Sequence, residues 1–303
     1  MTEQTGPSLP SGKSGPAGKS GPAGKSGPAA LAALAAFEAE GAARRAGVVV
    51  RELERISEFQ TVFALFDRIW RADPGSAPVS VELMRALSHS GNYVAGAFEG
   101  DTMVGACVAF LAGPPGGGLH SHVTGAVVGR GVGFALKLHQ RAWAVERGLE
   151  RVSWTFDPLV RRNAYFNLTK LGGRPVEYLP SFYGEMTDVI NAGDESDRLL
   201  LVWRLGEPYV LEACAGRPRD AAAPEHAVAR VRGEGDRPVV SPAGGGAVSL
   251  VATPADIEGL RATDPGAARA WRWAVREVLG GLMESGGRVT GFTKAGEYVV
   301  ELP

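Results

Sequence analysis

Cysteine is nearly absent: the 303 residues hold two, Cys107 and Cys214, far apart and without partners at metal-ligand spacing. That excludes a zinc ribbon and a disulfide scaffold; no metal site is expected, and a reducing, cytoplasmic setting is. A surplus of either charge sign is also lacking. The 32 Lys+Arg against 33 Asp+Glu leave a formal net charge of −1, so no global field recruits nucleic acid or an anionic membrane surface. No apolar run is long enough to span a bilayer. The start is rich in Gly, Pro and Ser rather than basic and then apolar, so no signal peptide is expected. What is plentiful is apolar surface, at 45% of residues, with 42 Gly and 20 Pro. The length leaves room for about two domains.

Glycine and proline are unevenly spread. Residues 12–29 read GKSGPA three times over. Gly at every third position matches a collagen period, but for six triplets only. A phosphate loop fails by one place, because Lys13 and Lys19 stand where its first Gly belongs. The composition otherwise describes a weakly basic, disordered tail over residues 1–28, with too little apolar surface to fold. Residues 29–205 form the main unit. Residues 206–247 are a loop-rich connection with one or two short strands, and 248–303 a smaller C-terminal α/β segment packing on the core.

Periodicity supplies the elements. Helices are expected over residues 29–46, 79–88, 132–147 and 160–171, and an amphipathic helix carries Phe59, Val62, Phe63, Phe66, Ile69 and Trp70. Strands are expected over 48–53, 119–128, 151–156, 174–178 and 199–205, with a hairpin, 93–99 and 102–111, around Gly100-Asp101. The last block adds a strand at 248–252, helices at 255–262 and along the face from Ala267 to Leu282, and a hairpin, 288–293 and 298–302. This is an α/β layout with a mixed sheet.

The informative stretch is HSHVTGAVVGRGVGFALKLHQRAWAVERG, His120 to Gly148: a strand, a turn with Gly129, Gly131 and Gly133, then a helix. Glycines let backbone N–H groups approach a ligand, and the first helical turn has unpaired donors at the positive end of its dipole. Together these suit a pyrophosphate, although a tight strand-to-helix turn has the same pattern. A dinucleotide fold would place its G-x-G-x-x-G earlier in a βαβ unit, with an acidic residue about 20 positions on; here the turn follows three strands, and Asp157 is the nearest counterpart.

This turn, its helix and the segment RNAYFNLTKLGG (Arg162 to Gly173) resemble the acyl-CoA-binding core of the GNAT acetyltransferase superfamily. HSHVTG, WTFDPL, RNAYFNLTKLG, YGEMTDVIN and DRLLLVWRL resemble one poorly characterised branch of it, over roughly residues 47–303. The resemblance implies a GNAT-like, mixed and mostly antiparallel sheet flanked by helices. Pantetheine would lie along strand 119–128 where that strand splays from 151–156. The loop amides of Gly129, Arg130, Gly131, Val132 and Gly133 would hold the pyrophosphate, Val127 and Val128 would also contact the cofactor, and Asn163 would lie beside the pantetheine arm. Acetyl-CoA or another acyl-CoA would be co-substrate, a small amine the acceptor, and a homodimer is compatible with the family. Two places depart from the pattern. Val128 stands where Gln or Arg is usual, in a loop about three residues short, and Leu168 stands where a tyrosine often acts as acid.

Candidate acid–base groups are few. His120 and His122 lie two apart, hence on one strand face, and imidazole titrates near neutrality. Asp157 ends a strand and is placed either for substrate contact or for capping the turn before Pro158. Asn167 neighbours the position of the missing tyrosine. His139 reads as a core residue, Trp271-Arg272-Trp273 as a packed helix with a snorkelling arginine, and Asp188, Asn191, Asp197 and Arg198 as polar clusters without a derivable role. The expected activity is acyl-CoA-dependent N-acyl transfer. The alternatives are a non-catalytic binding protein of this fold, or a related reaction on a CoA or carrier-protein thioester.

Overall fold

The computed structural model describes residues 27–70, 78–114, 116–184, 194–242 and 244–303. The repeat tail up to residue 26, Asp188 and Asn191 fall outside them. In chain order come α1 (Pro28–Ala46), β1 (Val49–Glu52), α2 (Ile56–Trp70), α3 (Val81–His89), β2 (Val94–Glu99), β3 (Thr102–Ala112), β4 (Gly118–Ala126), α4 (Val132–Glu146) and β5 (Arg151–Phe156). Then follow α5 (Arg161–Tyr165) with a π turn (Phe166–Lys170), β6 (Arg174–Leu179), β7 (Arg198–Arg204) and α6 (Pro208–Cys214). The chain ends with β8 (Val228–Glu234), β9 (Arg237–Val240), β10 (Val248–Ala252), α7 (Ile257–Thr263), α8 (Pro265–Val275) with a second π turn (Arg276–Gly280), α9 (Gly281–Glu284), β11 (Arg288–Phe292) and β12 (Glu297–Glu301).

Seven strands make the first sheet in the order β1-β2-β3-β4-β5-β7-β6. Every neighbouring pair is antiparallel except β4–β5. The mixed, mostly antiparallel sheet flanked by helices is thus the fold found. On one face α1 packs along α4, since Ala35, Ala39, Ala42 and Ala46 give α1 a smooth buried stripe. Beneath this layer Arg141 of α4 reaches Glu38 of α1 at 2.6 Å, both buried. On the other face α2 contributes Phe59, Val62 and Phe66, each essentially inaccessible. Burying such a side chain contributes about 1.5–3 kcal/mol, enough to set which face of α2 turns inward.

The second sheet runs β11-β12-β10-β8-β9, with β8 parallel to β10 and its other pairs antiparallel. Two short strands, β8 and β9, lie in the connection as expected and join this sheet, whereas α6 was not anticipated from that Pro- and Gly-rich composition. The C-terminal helices share a core with the first sheet: Trp271 and Val275 belong to the same buried cluster as Leu201 and Trp203. Tyr298 of β12 donates to the Pro158 carbonyl just beyond β5, at 2.7 Å. The end of β5 is thus held from the C-terminal side.

Candidate functional site

β4 and β5 pair at two positions only, Leu119↔Val152 and His120↔Ser153. Beyond them the strands part, so from residue 121 onward β4 has its ladder partner on the β3 side alone. A cleft of about 450 Å³ opens in the gap, lined by Ser121, Trp154, Phe156, Asn163, Phe166 and Asn167 among others. The β3–β4 register shifts by one residue there, Val108 facing Val123 but Ala109 facing Ser121. His122 is the extra residue, and such a bulge leaves its residue out of the ladder and re-aims the side chain.

The glycine turn forms the mouth of this cleft. Gly129 and Gly131 have φ of 88° and 77°, the left-handed region that glycine enters at little cost. Gly131 caps α4 with no side chain bonded to the helix end, and the first helical bond runs from Ala135 N to Gly131 O. The N–H groups of Val132, Gly133 and Phe134 therefore have no acceptor within the helix. Val127, Val128, Gly129, Gly131, Val132, Gly133 and Asn163 line the cleft. Arg130 does not: its guanidinium turns away to grip Glu99 at 2.8 and 2.6 Å.

The expected acid–base residues divide. His122 is exposed and lines the cleft, and its Nε2 lies 3.0 Å from the Pro78 carbonyl. A carbonyl only accepts, so Nε2 carries a proton, and in the neutral ring the lone pair sits on Nδ1. His120 is half-buried against Phe110, with Nδ1 3.5 Å from Ser153 Oγ, and does not line the cleft. Burial, then the charges of His122 and Lys137, lower its pKa. Asn167 is buried in the cleft wall and accepts from Trp154 Nε1 at 3.3 Å.

Asp157 lies elsewhere. It is buried, with Oδ1 accepting from Arg272 at 2.9 Å and from Leu159 N at 2.9 Å, and Oδ2 from Arg272 at 3.0 Å and Arg261 at 2.6 Å. Burial alone would raise its pKa; Arg272, Arg261 and Arg198 outweigh that and hold the carboxyl well below its ordinary range. The capping alternative matches the bond to Leu159, and the charge is neutralised from three sides. Arg272 is not the snorkelling residue expected: it is 1% exposed and also bonds Asp194 at 2.9 Å. Asp197 accepts from Tyr178 at 2.7 Å and from the Ser181 N–H at 3.0 Å. His139 meets the Tyr93 hydroxyl at 2.8 Å below the sheet, as a core residue would.

One cleft residue was missed. Lys137, in the second turn of α4, is buried beneath β4, its Nζ 2.7 Å from Ser121 Oγ and 3.2 Å from Gln140 Oε1. The ammonium lies 4.0 Å from the centroid of the Trp154 ring. Burial pushes its pKa down to about 8. The signal was a lysine between Leu136 and Leu138 on a helix whose neighbours are apolar. A second hollow of about 650 Å³ borders the second sheet, with Arg161, Arg232, Asp236, Asp256 and Glu297 in its walls; no expected site residue lines it. Among the described residues no group of three or more His, Cys, Asp or Glu could hold a metal ion, and no helix is long and apolar enough to cross a membrane.

No family model and no curated protein match the sequence. Solved structures similar to about half of the chain include N-acetyltransferases. The ribosomal-protein-S18-alanine N-acetyltransferase of Escherichia coli is 12% identical over 53% of this chain and 95% of its own, with a TM-score of 0.43. The aminoglycoside 6'-N-acetyltransferase of Enterococcus faecium is 16% identical over 52% and 97%, at 0.40. An acetyltransferase of the GNAT family from Streptococcus pneumoniae is 14% identical over 51% and 97%, at 0.42.

Proposed function

We propose that the chain is an acyl-CoA-dependent N-acyltransferase, in which a small amine attacks the thioester carbonyl directly. The observation that carries this reading is the parting of β4 from β5 after two paired positions, with the uncapped start of α4 at the mouth of the gap. An extended pantetheine arm presents amides at strand-like spacing, so residues 121–126 of β4 offer it the hydrogen bonds that β5 does not take. The pyrophosphate then falls on the N–H groups of Val132, Gly133 and Phe134, where the helix dipole favours negative charge. Asn163 and Asn167 face the arm from the opposite wall.

The chemistry needs an uncharged amine, a base for the proton it sheds, and donors for the oxyanion. His122 supplies the base through Nδ1, whose lone pair is left by the bond from Nε2 to Pro78. The bulge at His122 frees backbone from the ladder at the same place, which suits an oxyanion donor. His120, lowered by burial, is neutral at pH 7 and supports the strand against Phe110. Asp157 takes no part in the reaction.

Calorimetry with CoA and acetyl-CoA tests the reading, followed by mass spectrometry of products from a panel of small amines. Micromolar to submillimolar CoA binding and an acylated amine are expected. No heat at millimolar CoA would leave a non-catalytic protein of this fold as the better account.

A further inference from the structure

We propose that Lys137 is the general acid of the transfer, giving an ammonium proton to the departing thiolate of CoA. The inference rests on the acyl-CoA reading of the cleft and adds the residue that completes its proton balance. Direct transfer to an amine produces a thiolate, and a nearby acid lets the C–S bond break without a free anion in a partly desolvated site.

The usual candidates are absent from the cleft. Leu168 is buried in the core rather than facing the gap. None of the six tyrosines lines the cleft. Tyr165 donates to Asp220, Tyr178 to Asp197 and Tyr298 to a carbonyl, while Tyr183 pairs with Thr155 and Tyr93 with His139. Tyr209 lies against Arg174. Among the described lining residues, those with a proton on nitrogen to give are Lys137, His122 and Arg162. Arginine does not release its proton, and Arg162 is held by Glu258 at 2.5 and 2.7 Å. His122 serves the amine.

Lys137 has the geometry for the task. Of its three hydrogens, Ser121 and Gln140 engage two, and the third faces the indole of Trp154, the softest of the three partners. Lys137, Trp154 and Asn167 line the cleft together, which places the ammonium at its wall. Among the described residues no carboxylate pairs with it: the groups acting on its charge are the buried surroundings and Cys107 of β3. His120 and His122 of β4 and Arg162 of α5 are the other titratable or charged groups near that side. On its own helix His139 turns to Tyr93, and Arg141 to Glu38. Burial also brings the ammonium close to an ordinary thiol, about 8.5, so the proton moves between nearly matched partners.

The step balances. The amine nitrogen bonds to the carbonyl carbon and loses a proton to His122 Nδ1. The C–S pair leaves on sulfur, which takes a proton from Lys137 Nζ and becomes the thiol. Lys137, now neutral, regains a proton from His122 through solvent in the cleft, and the net products are amide and CoA.

The test is kcat against pH for wild type, Lys137→Met and Lys137→Arg with acetyl-CoA and an accepted amine, with CoA affinity by calorimetry on each. Wild-type kcat should fall above about pH 8 as the ammonium is lost. Lys137→Met should lose about a hundredfold or more in kcat, keep CoA affinity within a few-fold, and lack that alkaline fall. Lys137→Arg keeps the charge without a removable proton and should be similarly slow, and it gives the answer if the Met variant does not fold. Wild-type rates in the Arg variant would show a fixed charge rather than an acid, and overturn the proposal. So would an unchanged kcat or a retained alkaline fall in Lys137→Met. Failure of wild type to bind CoA would instead overturn the acyl-CoA reading, and this inference with it.

Discussion

Arg272 holds both carboxylate oxygens of Asp157, at 2.9 and 3.0 Å, across 115 positions of sequence. Asp157 directly follows β5, one wall of the cleft, and Arg272 lies on α8 of the C-terminal block. The pair therefore ties the position of that wall to a segment that contributes no expected cleft residue. Breaking one partner of a buried pair leaves the other charge uncompensated.

Asp157→Ala should accordingly lower stability by about 3–5 kcal/mol, read from urea unfolding. The acid limb offers a second check. The folded-state pKa is depressed, so the contribution is complete above the ordinary carboxylate value, about 4, and drains as pH falls through the lower folded value. Wild type should thus lose its advantage over Asp157→Asn progressively as pH falls below about 4. A variant with unchanged stability and abolished turnover would return Asp157 to catalysis.

The turn offers a test in which strain and charge separate. At Gly131 an added Cβ meets only the Ala46 methyl at 3.8 Å, so space is available, but φ is 77°. Asp and Asn tolerate that region better than most residues. Gly131→Asp should weaken CoA binding at least a hundredfold through like-charge repulsion, while Gly131→Asn, equally strained, loses far less. Calorimetry on both variants decides, with thermal melts confirming that each costs about 1 kcal/mol or less. Equal binding by wild type and the Asp variant would move the pyrophosphate to another place.

The two strand histidines should differ. His122→Ala should reduce turnover by roughly 10²-fold, because its lone pair is free and it lines the cleft. His120→Ala should act more weakly, and chiefly on stability, since its ring packs 5.1 Å from that of Phe110. Rate profiles from pH 6 to 9 provide the measurement. Unchanged rates in His122→Ala would assign that residue to structure.

Lys137 should leave a mark on stability whatever the substrate. Its folded-state pKa, about 8, is below its value of 10.5 in the unfolded chain. Between these values the unfolded state binds more protons, so stability rises with pH. Relative to Lys137→Met, wild type should gain roughly 2 kcal/mol from pH 8 to pH 10. A flat difference across that range would mean the amine is solvated.

Local pattern made much of this architecture legible. Arg151–Phe156 and Val248–Ala252 are strands over the very residues their β-branched and apolar runs suggest. The Gly129–Gly133 turn opens its helix at Val132 as expected. What escaped depends on distance or on a single inserted residue. The bulge at His122 appears only once β3 is laid beside β4, and the role of Arg272 only once Asp157 and Asp194 are beside it. Lys137 was passed over because a helical lysine is ordinarily solvated. The helix expected to run unbroken over 160–171 widens at Phe166–Lys170 into a π turn, which periodicity alone does not signal.

The two-rung contact between β4 and β5 has a consequence for how the molecule comes apart. The seven-stranded sheet is close to being two sheets, β1–β4 and β5–β7, bridged along their seam mainly by α4 and by those paired positions. Such a seam is where sub-global opening should be least costly, so amides at residues 152 and 153 should exchange faster than those in the middle of β3. A molecule lodged along the seam would add the missing rungs and make the halves unfold as one. Occupancy of the cleft should therefore be visible as a gain in cooperativity, in slow exchange across β5 and a sharper melt.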